Sequence, residues 1–223
     1  MNRFDLQRLP GGTTLRHLDR RWRGAYDVDE WGLDPELVAL SDPAVSLRWD
    51  IDVEGAGRLP ATGGAVLVFN RRFGVSEPWV VARGVRRASG RFVRTVGVVD
   101  VAPIGPALRR FGAVVDRPDE IAGLLRARQL VGLPMSRRLG PRDRVGELQV
   151  DRIEAALVTE VPVVPVAVLG RELGRRWRVV VGRPIRSNRR GGPLAAAELA
   201  EAVRDGVQTL VDDASVPGLG LWL

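Results

Sequence analysis

The residues of this sequence that could do chemistry cluster directly after short apolar runs. The clusters comprise Asn70, Arg71, Arg72, Ser76 and Glu77, then Arg117, and then Pro134, Met135, Ser136, Arg137 and Arg138. Arginine guanidinium groups bind phosphate and carboxylate groups through a planar set of hydrogen-bond donors. Because α/β sheets bind ligands beyond the carboxyl ends of their strands, the clusters predict one anion site at the end of a sheet. The alternative interpretation is a set of solvated basic loops, with Met135 a packing residue.

Proton transfer has few candidates in this chain. Glu77 could accept a proton, although its alternative role is to favour the dipole of a helix N-terminus. The single His, His17, lies in the segment RHLDRR and is interpreted as a solvated surface residue. The sequence has no Cys, which excludes disulfides, Cys-ligated zinc and thiol nucleophiles. We therefore predict no metal site.

The elements that must position these side chains alternate along the chain. Apolar runs predict strands at Leu47–Val53, Ala65–Phe69, Phe92–Val96, Ala113–Val115, Gln129–Leu133, Val161–Leu169 and Trp177–Val181. Helical spacing predicts helices at Ser76–Val85, Pro103–Phe111, Pro118–Arg128, Glu147–Thr159 and Leu194–Val211. This alternation predicts an α/β fold with a central mixed, largely parallel sheet flanked by helices.

The first part of the chain differs from the rest in its pattern of polar and apolar residues. Residues 1–46 are polar and irregular and predict an N-terminal arm or cap, whereas residues 47–223 predict the α/β domain. A short helix is expected near Leu15–Trp22. No apolar run approaches the ~20 residues of a membrane-spanning helix, and the N-terminus has no apolar stretch typical of a signal peptide. These features predict a cytoplasmic protein.

Several short segments resemble one known family when they are taken in order. They are YDVDEWGLDPEL, GRLPATGGAVLVFNRR, IGPALRRFGAVVDRPDE, LVGLPMS and EVPVVPVAVLG. Their order and spacing are similar to those of the phospholipid/glycerol acyltransferases, which include the lysophosphatidate acyltransferases. The resemblance covers roughly residues 22–185, and it implies an acyltransferase-like α/β fold with acyl-CoA or acyl carrier protein as donor and no tightly bound cofactor.

The resemblance also implies that this chain is a degenerate member of that family. Family members place a His base after a buried strand, with an Asp that orients it, but these two positions hold Arg71 and Ser76, with Glu77 next to the second. A guanidinium group stays protonated and cannot act as a base. The Pro-Glu-Gly motif has become Pro134 followed by Met135 and Ser136. The phosphate-binding Arg of the family corresponds to Arg117.

Three functions remain open at this stage. The first is a catalytically impaired acyltransferase-fold protein that binds a phosphate-bearing lipid, acyl-CoA or a protein partner. The second is an active lysophospholipid or glycerolipid acyltransferase with a rebuilt site, in which Glu77 takes part. The third is a basic nucleic-acid-binding protein, which ranks last because the basic residues are scattered and mostly offset by acids.

The charge and the aromatic residues bear on a membrane partner. The net charge is +7, and all 34 basic residues are Arg. We interpret this first as the codon bias of a GC-rich genome, and alternatively as a sign of an anionic partner. Peripheral membrane contact is expected through Arg residues together with Trp22, Tyr26, Trp31 and Trp222, because Trp and Tyr favour the membrane interface. The alternative is that these aromatics fold back onto the core or form a dimer contact.

Overall fold

Seven strands form one sheet in the computed structural model, which describes residues 27–72, 75–97, 104–137, 144–187 and 191–214. The strands are β1 (Asp50–Glu54), β2 (Ala65–Phe69), β3 (Val93–Val96), β4 (Ala113–Val114), β5 (Leu130–Pro134), β6 (Val163–Gly170) and β7 (Arg176–Val181). The described helices are α1 (Pro35–Arg48), α2 (Ser76–Ser89), α3 (Ile104–Arg110), α4 (Pro118–Arg126), α5 (Val150–Val158) and α6 (Pro193–Ala214), with a 3₁₀ turn at Ala56–Arg58.

The sheet is mixed and mostly parallel. Its strand order is β1-β7-β6-β2-β5-β3-β4. Neighbouring strands are parallel except for β6 and β7, which form an antiparallel hairpin. The predicted α/β class and the largely parallel sheet are therefore confirmed.

Helices cover both faces of the sheet, which explains why its central strands are continuously apolar. All residues of β2 and β5 are buried. Val66 and Val68 pack in one core with α4, α5 and α6, whereas Leu67 and Phe69 pack in the other core with α2. Successive strand residues point to opposite faces, so a strand covered on both sides needs apolar residues at every position.

The helix α1 was not expected, and its presence corrects two predictions. Residues 1–46 were predicted to be irregular and Leu47–Val53 to be a strand, but the helix occupies Pro35–Arg48 and β1 begins at Asp50. Asp34 caps the helix by accepting a hydrogen bond from the Leu37 backbone at 2.8 Å. The apolar residues of α1 do not repeat at helical spacing, so periodicity could not reveal it. The signal was the cap itself, in which Asp34 precedes Pro35 at the first helical position.

Several residues named in the sequence predictions fall outside the described part of the chain. The expected helix near Leu15–Trp22, with His17, lies outside the described residues, as do Tyr26, Arg138 and Trp222. The helix α1 crosses the expected boundary between residues 46 and 47, and the division into arm and domain stays a prediction. No helix of the described ranges is both long and apolar enough to cross a membrane.

Parallel pairing places the polar clusters at one edge of the sheet. In the register of β2 and β5, Phe69 lies opposite Pro134, so both strands end at the same level. The Met135 amide continues this pairing by donating to the Phe69 carbonyl at 2.9 Å. The segments that begin at Asn70 and at Met135 therefore leave the sheet side by side.

Candidate functional site

Asn70 fixes the direction in which the chain leaves β2. Its side chain is buried and pairs with the backbone of Val168 on β6 in both directions. The Asn70 Nδ2 donates to the Val168 carbonyl at 2.9 Å, and the Val168 amide donates to Asn70 Oδ1 at 2.7 Å. Both hydrogen-bonding groups of the amide are thus engaged with the sheet. This arrangement makes Asn70 a positioning residue for the residue that follows it.

Arg71 lies at the boundary between two cavities. It lines an apolar pocket and also a polar cleft, and its half-buried side chain carries a buried Nε with no hydrogen-bond partner among the described residues. Burial is the main cause that lowers the pKa of Arg71, and the positive charge of Arg137 lowers it further. The carboxylate of Glu77 acts in the opposite direction. A guanidinium group whose positive charge is only partly compensated attracts an anion.

The polar cleft has a volume of about 350 Å³. It is lined by Arg71, Gly97, Val115, Asp116, Pro134, Met135, Ser136, Arg137 and Arg152. Residues of two of the predicted clusters, those around residues 71 and 134–137, therefore meet in one cavity. Within the cleft, Met135 is buried, whereas Arg137 is exposed.

Two charged residues of the cleft were not predicted from the sequence. Arg152 of α5 pairs with the Asp116 carboxylate and donates to the Pro134 carbonyl at 3.3 Å. Its charge also lowers the pKa of Arg71. Asp116 stands directly before the predicted Arg117, but nothing in the sequence around Arg152 distinguished it from an ordinary helix surface residue.

Arg117 itself lies beside the cleft, and not in its lining. Its side chain is exposed, and the residue precedes the first turn of α4 with an extended backbone. The neighbouring Val115 and Asp116 do line the cleft. Phosphate binding by Arg117 stays a prediction, and the residue lies at the rim of the cleft. Arg72 also stays a candidate, and its backbone amide donates to Glu77.

The apolar pocket has a volume of about 470 Å³. Its lining residues are Arg71, Val75, Pro78, Trp79, Ala82, Thr95, Val96, Gly97, Ile104, Leu108, Phe111 and Ala113. It shares Arg71 and Gly97 with the polar cleft, so the two cavities adjoin at the end of the sheet. An apolar pocket next to a cationic cleft suits an amphiphile with one acyl chain and an anionic group.

A second apolar cavity, of about 290 Å³, lies between α1 and α2. It shares Trp79, Ala82 and Phe111 with the first pocket. The rings of Trp79 and Phe111 meet edge to face, with centroids 5.5 Å apart and an interplanar angle of 72°. This aromatic pair stands between the two cavities.

Ser76, at the position that corresponds to the family's Asp, and the neighbouring Glu77 both make other hydrogen bonds. The Ser76 hydroxyl donates to Glu172 Oε1 at 2.8 Å, and the same carboxylate accepts from the Val75 amide at 3.3 Å. Glu172, from the β6–β7 turn, thus caps the start of α2, a contact that no sequence pattern indicated. Glu77 is buried, and its Oε1 accepts from the Arg72 amide at 3.0 Å. Its Oε2 has no hydrogen-bond partner in the described structure.

A metal centre has no ligand set in the part of the chain that the structure describes. No group of three or more His, Cys, Asp or Glu side chains there could hold an ion.

Comparison with solved structures identifies the fold. The chain is similar to the crystal structure of the 1-acyl-sn-glycerophosphate (LPA) acyltransferase PlsC from Thermotoga maritima, with a TM-score of 0.60 over 92% of this chain and 88% of that chain. Sequence identity between the two is 16%, and the similarity establishes the acyltransferase-like α/β fold. The resemblance found in the sequence is thereby confirmed at the level of the fold.

Sequence comparison adds one relative without an assigned function. The chain is 25% identical to an uncharacterised protein of Mycobacterium leprae (strain TN), and the alignment covers 86% of this chain and 68% of that protein. No family model matches the sequence.

Proposed function

We propose that this chain is a catalytically impaired protein of the phospholipid/glycerol acyltransferase family that binds an anionic acyl lipid. The observation that carries the proposal is the junction at Arg71, where a pocket of about 470 Å³ with apolar walls adjoins a cleft containing three arginine residues. The ligand is a phosphate-bearing glycerolipid or acyl-CoA. Its acyl chain occupies the pocket, and its phosphate occupies the cleft.

The phosphate is held by the arginine residues of the cleft. Arg137 is exposed and adds to the positive charge at Arg71, while Arg152 is already paired with Asp116. Arg117 at the rim extends the cationic surface toward solvent. A charge-assisted contact between arginine and phosphate contributes about 1.5–3 kcal/mol.

Impaired catalysis follows from the side chains at the positions of the family's base and its partner. A general base contributes about 10²–10⁴-fold to a reaction of this kind, and Arg71 cannot accept a proton. Ser76 at the partner position donates its hydroxyl hydrogen to Glu172. Met135 brings a buried apolar side chain to the position of the family's Glu. None of the described residues near position 71 is a histidine.

Equilibrium titration with lauroyl lysophosphatidate and with lauroyl-CoA tests the binding. Arg137→Gln should weaken the affinity for both lipids by about tenfold or more, through the loss of the phosphate contact. Ala82→Phe, which fills the apolar pocket, should abolish binding of both. The matched control is Arg87→Gln, an exposed arginine of α2 outside the site. Absence of binding by the unmodified chain, or equal binding by Ala82→Phe, would refute the proposal.

A second candidate function rests on Glu77. Its buried Oε2 has no partner among the described atoms, so this oxygen is available to accept a hydrogen bond from a substrate hydroxyl. An acyltransferase with a rebuilt site would use this atom as base, and Glu77→Gln would then abolish turnover. In a protein without catalysis, the same substitution changes no turnover because none exists.

Membrane contact is proposed at the mouth of the apolar pocket. Val75 and Ile104 line the pocket, and both are more than 60% exposed. Trp31, by contrast, packs over Gly123 of α4, where a Cβ would lie only 2.7 Å from its ring. A lipid chain entering from a bilayer would pass these exposed apolar residues. Val75→Asp with Ile104→Asp should reduce co-sedimentation with anionic vesicles, and unchanged co-sedimentation would contradict this surface.

A further inference from the structure

Arg71 is the one charged residue among the described residues that line the apolar pocket. Beside it, the described wall consists of aliphatic and aromatic side chains, Gly97 and Thr95. An acyl chain in this pocket would end at the guanidinium group. The atoms that the guanidinium group meets first are therefore those at the head of the chain, and not those of a distant headgroup.

The charges around Arg71 leave room for one negative charge. Arg71, Arg137 and Arg152 contribute three positive charges to the described cleft, and Asp116 contributes one negative charge. The buried carboxylate of Glu77 acts on Arg71 as well. One net positive charge remains in this group of five side chains. A ligand that brings a single negative charge to the mouth of the pocket would neutralise it.

We infer that the same pocket takes a long-chain fatty acid, whose carboxylate pairs with Arg71. This inference rests on the proposed function for the position of the acyl chain and adds a second class of ligand, the free acid. Arg71 lines the pocket, and its buried Nε has no partner among the described residues. We place the two-point contact with the carboxylate oxygens at its two terminal Nη groups.

A carboxylate fits this position better than a phosphate monoester. The phosphate monoester carries a charge of about −1.5 to −2 at neutral pH, which exceeds the single positive charge of Arg71 at the end of the pocket. Charge that is desolvated without a partner is costly. A phosphate is better placed further out, at the exposed Arg137, where the glycerol of a glycerolipid would carry it and solvent screens its charge. The fatty acid and the glycerolipid thus share the chain pocket and differ in the arginine that binds their charge.

The test compares laurate, dodecanol and lauroyl lysophosphatidate by equilibrium titration of the full chain. The chains are of equal length, so the difference between laurate and dodecanol reports the carboxylate contact. We expect laurate to bind about tenfold or more tightly than dodecanol. Arg71→Gln should remove this difference, Arg71→Lys should retain part of it, and Arg87→Gln should leave it unchanged. Circular dichroism of each variant checks that it is folded.

Each outcome decides between the two proposals. Equal binding of laurate and dodecanol by the unmodified chain overturns the inference, and so does a preference for laurate that persists in Arg71→Gln. If lauroyl lysophosphatidate binds and laurate does not, the inference fails while the proposed function stands. If none of the three binds, both fail.

Discussion

The guanidinium group of Arg94 is buried in β3 and pairs with the carboxylate of Asp29, sixty-five residues earlier in the chain. Arg94 is 1% exposed, and its Nε and Nη1 have no partner among the described atoms. Asp29 also accepts backbone hydrogen bonds from Trp31 and Leu33 at 3.0 and 2.9 Å. This ion pair attaches the segment before α1 to the sheet.

We therefore expect Asp29→Asn to destabilise the fold by about 3 kcal/mol. Asparagine keeps an oxygen for the two backbone donors but removes the charge that compensates Arg94. Breaking a buried ion pair costs about 3–5 kcal/mol, and the one-third exposure of Asp29 places the cost at the lower end. Urea unfolding measures it. Asp29→Asn combined with Arg94→Met should recover part of the loss, and a double variant less stable than Asp29→Asn would contradict this account.

Arg71→Gln should leave the protein as stable as the unmodified chain, or slightly more stable. Burial and the charge of Arg137 lower the pKa of Arg71, which means that folding disfavours its charged form. The folded state would be relieved of this cost only as the pH rises toward the ordinary pKa of arginine and Arg71 loses its proton. Substitution of Arg71 removes the charge at neutral pH instead. Because the side chain is only half-buried, solvent screening limits the gain to about 0.5 kcal/mol.

Thermal unfolding near neutral pH measures this effect, with Arg87→Gln as the matched control. A charged residue that binds a ligand can lower the free energy of unfolding of the ligand-free protein, because its charge is then buried without the ligand. Marked destabilisation of Arg71→Gln would show that Arg71 has a structural partner.

Arg71→His alone is expected not to restore acyl transfer. The new imidazole would find no carboxylate at position 76, because Ser76 is bound to Glu172, and Met135 still occupies the Glu position. Ser76→Asp added to Arg71→His should fail as well, since the new carboxylate would face that of Glu172. Release of CoA from lauroyl-CoA in the presence of lysophosphatidate measures turnover. A tenfold or larger rise over the unmodified chain for Arg71→His alone would show that the base is the only missing part.

Phe111→Ala should extend the range of acyl chains that bind. Its ring and that of Trp79 stand between the two apolar cavities, so its removal joins them. Each further buried methylene contributes about 0.8 kcal/mol, which is roughly fourfold in affinity. We expect the variant to favour palmitoyl over lauroyl lysophosphatidate more strongly than the unmodified chain does. Phe92→Ala is the control, because Phe92 lines the second cavity but not the first. An equal shift in chain-length preference in both variants would contradict the role of the aromatic pair.

The sequence predicted the sheet well because its central strands are buried on both faces. The run Ala65–Phe69 matches β2 at both ends, since the Gly and Pro residues before it and Asn70 after it delimit an uninterrupted apolar segment. The order of strands could not be predicted, because it depends on long-range pairing such as that of β1 with β7. The helix α1 was missed because the sequence offers only a cap and no apolar periodicity.

The candidate site was predictable only where its residues follow strands. Arg71 and Met135 were found because both stand at strand ends, which parallel pairing brings together. Arg152 and Glu172 were missed, since each reaches the site from a helix or a turn that is distant in sequence. Their types are common on protein surfaces, so composition and spacing could not distinguish them.

The most direct test of the account measures binding and turnover in one mixture. The unmodified chain is incubated with lauroyl-CoA and lysophosphatidate, bound lipid is quantified after rapid gel filtration, and free CoA thiol is followed with time. The account predicts that bound lipid saturates with protein concentration while thiol release stays at the rate without protein. Thiol release that rises in proportion to protein, and that Glu77→Gln abolishes, would show an active acyltransferase and contradict the central claim.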